Sequence, residues 1–339
     1  MKTIVPPLKC QGIKTKLVPW IREVVGDDFN RWIEPFMGSG VAGFNMYPKV
    51  ALFADSNPHI IAFYKAVQSG EISPQSARAF LKQEGDLLRN ASDNGYDHYR
   101  LVRDRFNVSR NSLDFLFLSR AGFNGMMRFS KKGHWNIPFC KKPDRFAQAY
   151  ITKIVNQIDV LAKIIQPEWK FCHQDYLVTI ADAQAGDMIY CDPPYLGRYT
   201  DYFNNWTEKD EARLANALRA TPARFVMSSW HHNDFRINDA IQRYWGNFNI
   251  LTRDHFYHSG AKEENRRSIV EALICNFDLD GFESHNHGVR RKPEQLRLLE
   301  QTAKYIAQQD AGATRASMRS SALTVEIAPT LGLVGLTQG

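Results

Sequence analysis

The chain has 339 residues, 44% of them hydrophobic and 23% charged, which is globular composition with length for one or two domains. No apolar run approaches the roughly 20 residues of a membrane span, and the start, Met1-Lys2-Thr3-Ile4-Val5-Pro6-Pro7, lacks the apolar stretch of a signal peptide. Five scattered cysteines (10, 140, 172, 191, 275) contain no Cys-x-x-Cys pair, so a disulfide framework and a zinc site are not indicated and a reducing cytoplasm is expected.

In chain order, seven short β-like runs are predicted: Arg31–Glu34, Ala51–Ala54, Trp169–Cys172, Met188–Cys191, Arg224–Ser229, Asn247–His258 and Ser268–Phe277. Helical patterns separate most of them, among them Glu208–Ala220 and Asp234–Trp245, and this alternation argues for an α/β fold with a mostly parallel sheet. The last two runs are close enough to pair antiparallel. Residues 65–165 show little strand character and carry helical patterns at Ser76–Leu88, Asn111–Arg120 and Ala147–Ile165. They are expected to form an inserted, mainly helical domain, leaving 1–64 and 166–280 as one discontinuous domain. Beyond Asp280 comes a linker-like stretch, a candidate helix at Glu294–Gln308 and an Ala/Ser/Thr-rich tail, 281–339.

The net charge of +7 is concentrated. Arg100 to Arg145 holds eleven Lys and Arg against Asp104, Asp114 and Asp144, an excess of eight, so the remainder is near neutral. A basic block in a neutral body suits a polyanion such as nucleic acid, although a merely solvated face has the same composition.

Two motifs carry chemistry. Arg31 to Gly43 reads strand, glycine turn, helix start, and Gly38, Gly40 and Gly43 satisfy G-x-G-x-x-G, with Asp55 ending the next strand. A nicotinamide-dependent oxidoreductase fits that pattern. Glu34-Pro35-Phe36, however, puts a carboxylate directly before the glycines, which suits a cationic or sulfonium ligand better than a pyrophosphate. Asp192-Pro193-Pro194-Tyr195 follows Met188–Cys191, at the carboxyl end of a strand, where open α/β sheets bind ligands. Asp192 can accept from an exocyclic amine, the prolines can aim a backbone carbonyl at its second hydrogen, and Tyr195 can stack on a base. Asp-Pro and Pro-Pro are also ordinary turn punctuation. The histidines at 231, 232, 255, 258, 285 and 287 have no recognised ligand spacing, so no metal is expected.

Glu34-Pro35-Phe36-Met37-Gly38-Ser39-Gly40, followed after an insert by Asp192-Pro193-Pro194-Tyr195, resembles the signature motifs of the Dam-group (D12 class) DNA adenine-N6 methyltransferases. Gln11–Pro19, Phe139–Pro143, Arg145–Ile154 and His255–His258 are similar, within that group, to the EcoRV-type modification methylases, and the likeness runs over about residues 4–278. Cys10 stands where the group usually has tryptophan, and Gly12-Ile13-Lys14 where it usually has Gly-Gly-Lys.

The resemblance implies a Rossmann-like methyltransferase sheet of seven strands. It implies S-adenosylmethionine (AdoMet) as cofactor, held by Cys10, Lys14, Glu34, Pro35, Phe36, Gly38, Gly40, Asp55, Asn57, Asp175 and Asp192. Asp55 would take the ribose hydroxyls and Asp175 would lie near the cofactor adenine. Asp192, Pro193, Pro194 and Tyr195 would hold the target adenine. In the basic insert, Arg120, Phe123, Asn124, Arg128, Asn136 and Pro138 would belong to a DNA-reading hairpin, with Phe123 as a wedge and Arg128 bidentate to guanine. Lys131, Lys132, Lys141, Lys142 and Arg145 would position phosphates. The expected partner is double-stranded DNA, with no membrane. The expected protein is a monomer, paired functionally with a restriction endonuclease without a stable complex. The expected site is GATATC, methylated at its first adenine; a Dam-like orphan or phage enzyme with another site such as GATC is the alternative, and a non-catalytic DNA-binding relative a further one. An adenine amine inside a duplex is out of reach, so the base must flip. The amine then attacks the methyl directly, with no covalent enzyme intermediate and no Pro-Cys nucleophile in the chain.

Overall fold

The computed structural model describes residues 2–196, 206–256 and 268–278. The chain begins with helix α1 (Val18–Val25), strand β1 (Trp32–Glu34), α2 (Val41–Met46), β2 (Ala51–Asp55) and α3 (Pro58–Gln68). Four helices follow: α4 (Pro74–Asn90), α5 (Tyr96–Ser109), α6 (Ser112–Ala121) and α7 (Gln148–Ile164). The chain then runs β3 (Trp169–His173), α8 (Tyr176–Ala181), β4 (Met188–Cys191), α9 (Glu208–Ala220), β5 (Arg224–Asn233), α10 (Asp239–Trp245), β6 (Asn249–Phe256) and β7 (Ser268–Cys275).

β1 and β4 are buried at every position because helices cover both faces of the sheet, and such strands read as unbroken apolar runs. Alternate residues feed two cores. Met188 and Tyr190 of β4 join one with Trp32, Phe53 and Leu273; Ile189 and Cys191 join the other with Phe225, Met227 and Ile274. The strand order is β3-β2-β1-β4-β5-β7-β6, with β1 to β5 parallel. β7 runs antiparallel to both β5 and β6. The seven-strand, mostly parallel sheet and its antiparallel end agree with the sequence reading, with the addition that β7 lies between β5 and β6.

α4 to α7 occupy the sequence between β2 and β3 where the insert is expected. The boundary at 64/65 falls inside α3, and Tyr99, Val102, Phe106, Phe115 and Phe117 of the insert join the same core as Phe53 and Trp169 of the sheet. The helix expected over Asp234–Trp245 starts only at Asp239, because Asn233 Oδ1 accepts from the amides of Phe235 and Arg236 and holds a turn there. The candidate tail and helix beyond Asp280, and His258, lie outside the described residues.

Candidate active site

β1 ends on Glu34 and opens into the glycine turn. Glu34 is buried, and its Oε2 accepts from Trp32 Nε1 (2.9 Å) and from the amide of Gly43 (3.0 Å). A Cβ on Gly43 would lie 2.6 Å from that same oxygen and 2.3 Å from the Phe53 ring, so only glycine permits the approach. Gly40, at φ 71° before α2, is in the left-handed region, and a Cβ there would lie 2.5 Å from Phe44. Asp55, ending β2, accepts from Gly38 N (2.8 Å) and Asn57 N (2.8 Å), one bond on each oxygen. Burial pushes the Glu34 carboxyl up to about 8 against the pull of its two donors, and the charges of Asp192 and Asp55 add to the rise. Burial likewise raises Asp55, opposed by its backbone donors.

Asp192 follows β4, and its side chain is 22% exposed. Lys14 Nζ lies 2.8 Å from Oδ1 and 3.0 Å from Oδ2. Only the second contact is aligned as a hydrogen bond, and Oδ1 is left buried without one. Burial raises the Asp192 carboxyl; Lys14 opposes that rise and the charge of Glu271 adds to it. The same ammonium donates to Gly12 O (3.0 Å) and sits 4.9 Å from the centroid of the Tyr195 ring. Tyr195 in turn donates its hydroxyl to Glu271 Oε2 at 2.8 Å.

These groups border a cavity of about 330 Å³, within the roughly 300–1,000 Å³ of small-molecule sites. Cys10, Lys14, Glu34, Pro35, Phe36, Gly38, Asp55, Asn57, Asp175, Asp192 and Pro194 all line it. Gly40 does not; its place is the turn beneath. Pro193 and Tyr195 lie beside the cavity, outside its lining. Asp175 has a second duty as the N-cap of α8, accepting from Leu177 N at 2.8 Å. Burial pushes the Cys10 thiol up to about 12, so it is a neutral wall group, with its sulfur 4.0 Å from that of Met127. Sequence reasoning missed Met127, Tyr176, Trp206 and Arg213 in the lining. Phe36 stacks on Tyr176 with centroids 5.1 Å apart, and Trp206 meets Phe36 edge-on at 5.6 Å, so one wall is aromatic. A pyrophosphate in this cavity would meet Glu34, Asp55 and Asp192, and the Gly38 and Gly43 amides needed to grip it are already bonded to carboxylates. Among the described residues no His/Cys/Asp/Glu group suits a metal ion.

The basic insert presents its residues on an irregular hairpin after α6. Bridges pair Gly122 with Phe139 and Phe129 with Trp135. From His134 to Phe139 burial alternates: Trp135, Ile137 and Phe139 enter the core, while Asn136 and Pro138 face out. Tyr99 of α5 ties this strand down, donating to Ile137 O (2.6 Å) and accepting from Trp135 Nε1 (2.9 Å). On the outer side are Phe123, 48% exposed, and Asn124 at φ 51°, with Lys131, Lys132, Lys141 and Lys142 all exposed. Arg128 Nε donates to Asn136 Oδ1 at 2.8 Å. Two arginines assigned to DNA point elsewhere. Arg120 Nη2 donates to Gln157 Oε1 (2.7 Å) and its Nε is buried without a partner; burial lowers its pKa to about 10. Arg145 Nη1 donates to the carbonyls of Arg120 (3.2 Å) and Gly122 (3.4 Å), bracing the hairpin from within.

Comparison with known proteins agrees with this geometry. Residues 11–259 match the family model "D12 class N6 adenine-specific DNA methyltransferase". The chain belongs to that family. It is 33% identical over 226 residues to a DNA adenine methylase of Vibrio cholerae, covering 63% of this chain and 76% of that protein. It is 32% identical over 219 residues to the Retron Ec67 DNA adenine methylase of Escherichia coli, covering 62% and 71%. It is 23% identical over 289 residues to the Type II methyltransferase M1.LlaDCHI of Lactococcus lactis subsp. cremoris, covering 80% and 95%.

Proposed function

We propose that this D12-class DNA adenine methyltransferase flips the first adenine of GATATC from duplex DNA and methylates its N6 from AdoMet, protecting host DNA in a type II restriction–modification system. The observation that carries the chemical part is the joining of two sites: three carboxylates, Glu34, Asp55 and Asp192, converge on one cavity, and the third belongs to the segment whose Tyr195 ring stands beside it.

AdoMet, when bound, supplies an electrophilic methyl on a sulfonium. The residues fit it: acids for the cationic end, an aromatic wall of Phe36 and Tyr176 for the adenine, and Asp55 with lone pairs left for the ribose hydroxyls. Glu34 offers its charge to the methionine ammonium. Asp192, which lines the cavity, takes one hydrogen of the target amine on its carboxylate. The Pro193 carbonyl takes the other. Two acceptors localise the nitrogen lone pair, which is otherwise spread into the ring. Positioning and electrostatics carry the catalysis. Lys14 opposes the rise that burial gives the Asp192 carboxyl, and Tyr195 stacks on the flipped base. On the insert, Phe123 fills the place of the departed base, Asn124 bonds an exposed base, Arg128 held by Asn136 reads guanine, and the lysines hold phosphates.

The site assignment rests on the EcoRV-like stretches, and the restriction setting is supported by likeness to a type II methyltransferase. A Dam-like enzyme acting at GATC is the second reading, and likeness to DNA adenine methylases supports an enzyme of that kind. The enzyme is read as a monomer acting beside, and not bound to, a cognate endonuclease. Methyl transfer from AdoMet to matched duplexes carrying GATATC, GATC alone or a scrambled site, with methylated nucleosides identified by mass spectrometry, tests all of this. N6-methyladenine in the GATATC duplex alone is expected. Equal transfer to the GATC duplex would replace the site, and transfer to none would remove the activity.

A further inference from the structure

We propose that Glu271 is a positioning residue of the methyl-transfer site, holding Tyr195 in the orientation that stacks the flipped adenine. The proposal rests on the reading of Tyr195 as the base platform. Glu271 lies in the middle of β7, in Ser-Ile-Val-Glu-Ala-Leu-Ile-Cys, and has no exposed surface. A fully enclosed acid in an apolar strand is costly unless its bonds are specific. Its register places it opposite Trp230 of β5 and Arg253 of β6, one strand beyond the neighbour of β4. From there it reaches across to accept the Tyr195 hydroxyl at 2.8 Å.

Tyr195 stands four residues past Cys191, the last residue of β4, outside the sheet ladder. A ring beyond the strand ladder keeps one plane only if its far end is fixed. The Glu271 bond fixes it from a strand in the sheet core. Lys14 touches the same ring from its face at 4.9 Å and Asp192 from within hydrogen-bond reach, so Lys14, Asp192, Tyr195 and Glu271 form one connected set. The bond has an electronic effect as well. A carboxyl oxygen accepting from the phenol hydroxyl makes the ring face more electron-rich. That face then lies against a base whose N6 gains positive charge as its bond to the methyl forms, a cation–π interaction stronger in the transition state than before it.

The test uses the full-length enzyme and two duplexes: one that the wild type methylates, for the rate, and the same duplex with 2-aminopurine in place of the target adenine, which has no 6-amino group to methylate, to report flipping. Glu271→Ala is expected to slow single-turnover methyl transfer about tenfold and reduce the fluorescence rise. Its affinities for AdoMet and for the unmodified duplex should stay within about twofold. Glu271→Gln, which keeps a neutral acceptor for the hydroxyl, should recover part of the rate. The double variant Glu271→Ala/Tyr195→Phe should be no slower than the slower single variant, since both remove one bond. Losses that multiply in the double variant, or a wild-type rate and signal in Glu271→Ala, would overturn the proposal. So would loss of AdoMet binding together with turnover in both Glu271 variants, which would make the residue a support of the fold. Wild-type turnover in Tyr195→Ala would overturn the platform reading itself.

Discussion

The cofactor side and the DNA side of this enzyme are built in opposite ways. Around the cavity the chemical groups are buried and already bonded: Glu34 to Trp32 and Gly43, Asp55 to Gly38 and Asn57, Asp192 to Lys14. On the hairpin the frame is buried and the residues proposed to read DNA are not, with Trp135, Ile137 and Phe139 inside and Phe123, Asn136 and Pro138 outside. A site that must aim a weak nucleophile at a methyl needs fixed dipoles, and burial fixes them. A surface that reads a sequence needs side chains free of folding duty, so that specificity can vary while the fold stays. Substitutions should therefore cost both stability and activity on the first side, and DNA affinity or specificity without stability on the second.

The steepest case is Asp192→Ala. It removes the proposed acceptor of the target amine and leaves Lys14 without its ion pair, so turnover should fall about 10²–10³-fold or more while duplex binding largely survives. A rapid-quench assay beside a duplex titration checks it, and wild-type turnover would end the catalytic assignment. Next is Gly40→Ala, which forces a side chain into φ 71° and against Phe44. A loss of about 2–4 kcal/mol in unfolding free energy is expected from chemical denaturation. A neutral result would mean that the turn relaxes freely.

Glu34 gives a pH-dependent version of the contrast. Its carboxyl rises from its ordinary 4.5 to about 8 on folding, so between those values the folded chain holds a proton there that the unfolded chain has lost. This contribution to stability is complete below pH 4.5 and disappears as pH rises from 4.5 to 8. A cationic ligand acts against it, favouring the ionised form and expelling the proton. AdoMet affinity should then strengthen from pH 6 to pH 8 by up to about tenfold more in the wild type than in Glu34→Gln; the titration of the ligand's own amine is common to both. Calorimetry at the two pH values checks this, and equal pH slopes would show that Glu34 does not face the cation.

What was legible in the sequence follows the same divide. Met188–Cys191 and Glu208–Ala220 were read with the bounds the structure has, because a doubly covered strand is one apolar run and Thr207 with Asp210 forms a capping box. The glycine turn and its acids were legible because close backbone packing there admits few residue types. α5 was missed: its buried stripe of Tyr99, Val102 and Phe106 is narrow and set among charges. The placement of β7 between β5 and β6 was also missed, since pairing between distant segments leaves no local trace. Glu271 had a signal, an acid inside an apolar strand, that was absorbed into the strand. Arg120 shows the limit on the basic side. Composition counts its charge, but its place at the end of α6, after the buried run from Phe115 to Ser119, turns the guanidinium inward.

The smallest effects belong to the hairpin and separate reading from holding. Arg128→Ala should leave the melting temperature within a degree or two and lower discrimination at one guanine position by about 1–3 kcal/mol. Asn136→Ala should produce a weaker version of the same loss, since it frees Arg128 from the 2.8 Å bond that orients it. Lys132→Ala, at the exposed tip, should weaken all duplexes alike and reduce the slope of log affinity against log salt by about one. Competition assays with single-base variants of the methylated duplex, run at several salt concentrations, distinguish the two behaviours. If Arg128→Ala weakens every sequence equally and shifts the salt slope, Arg128 is a phosphate contact. The reading of that position would then pass to Asn124 or Asn136, the neutral side chains on the same face.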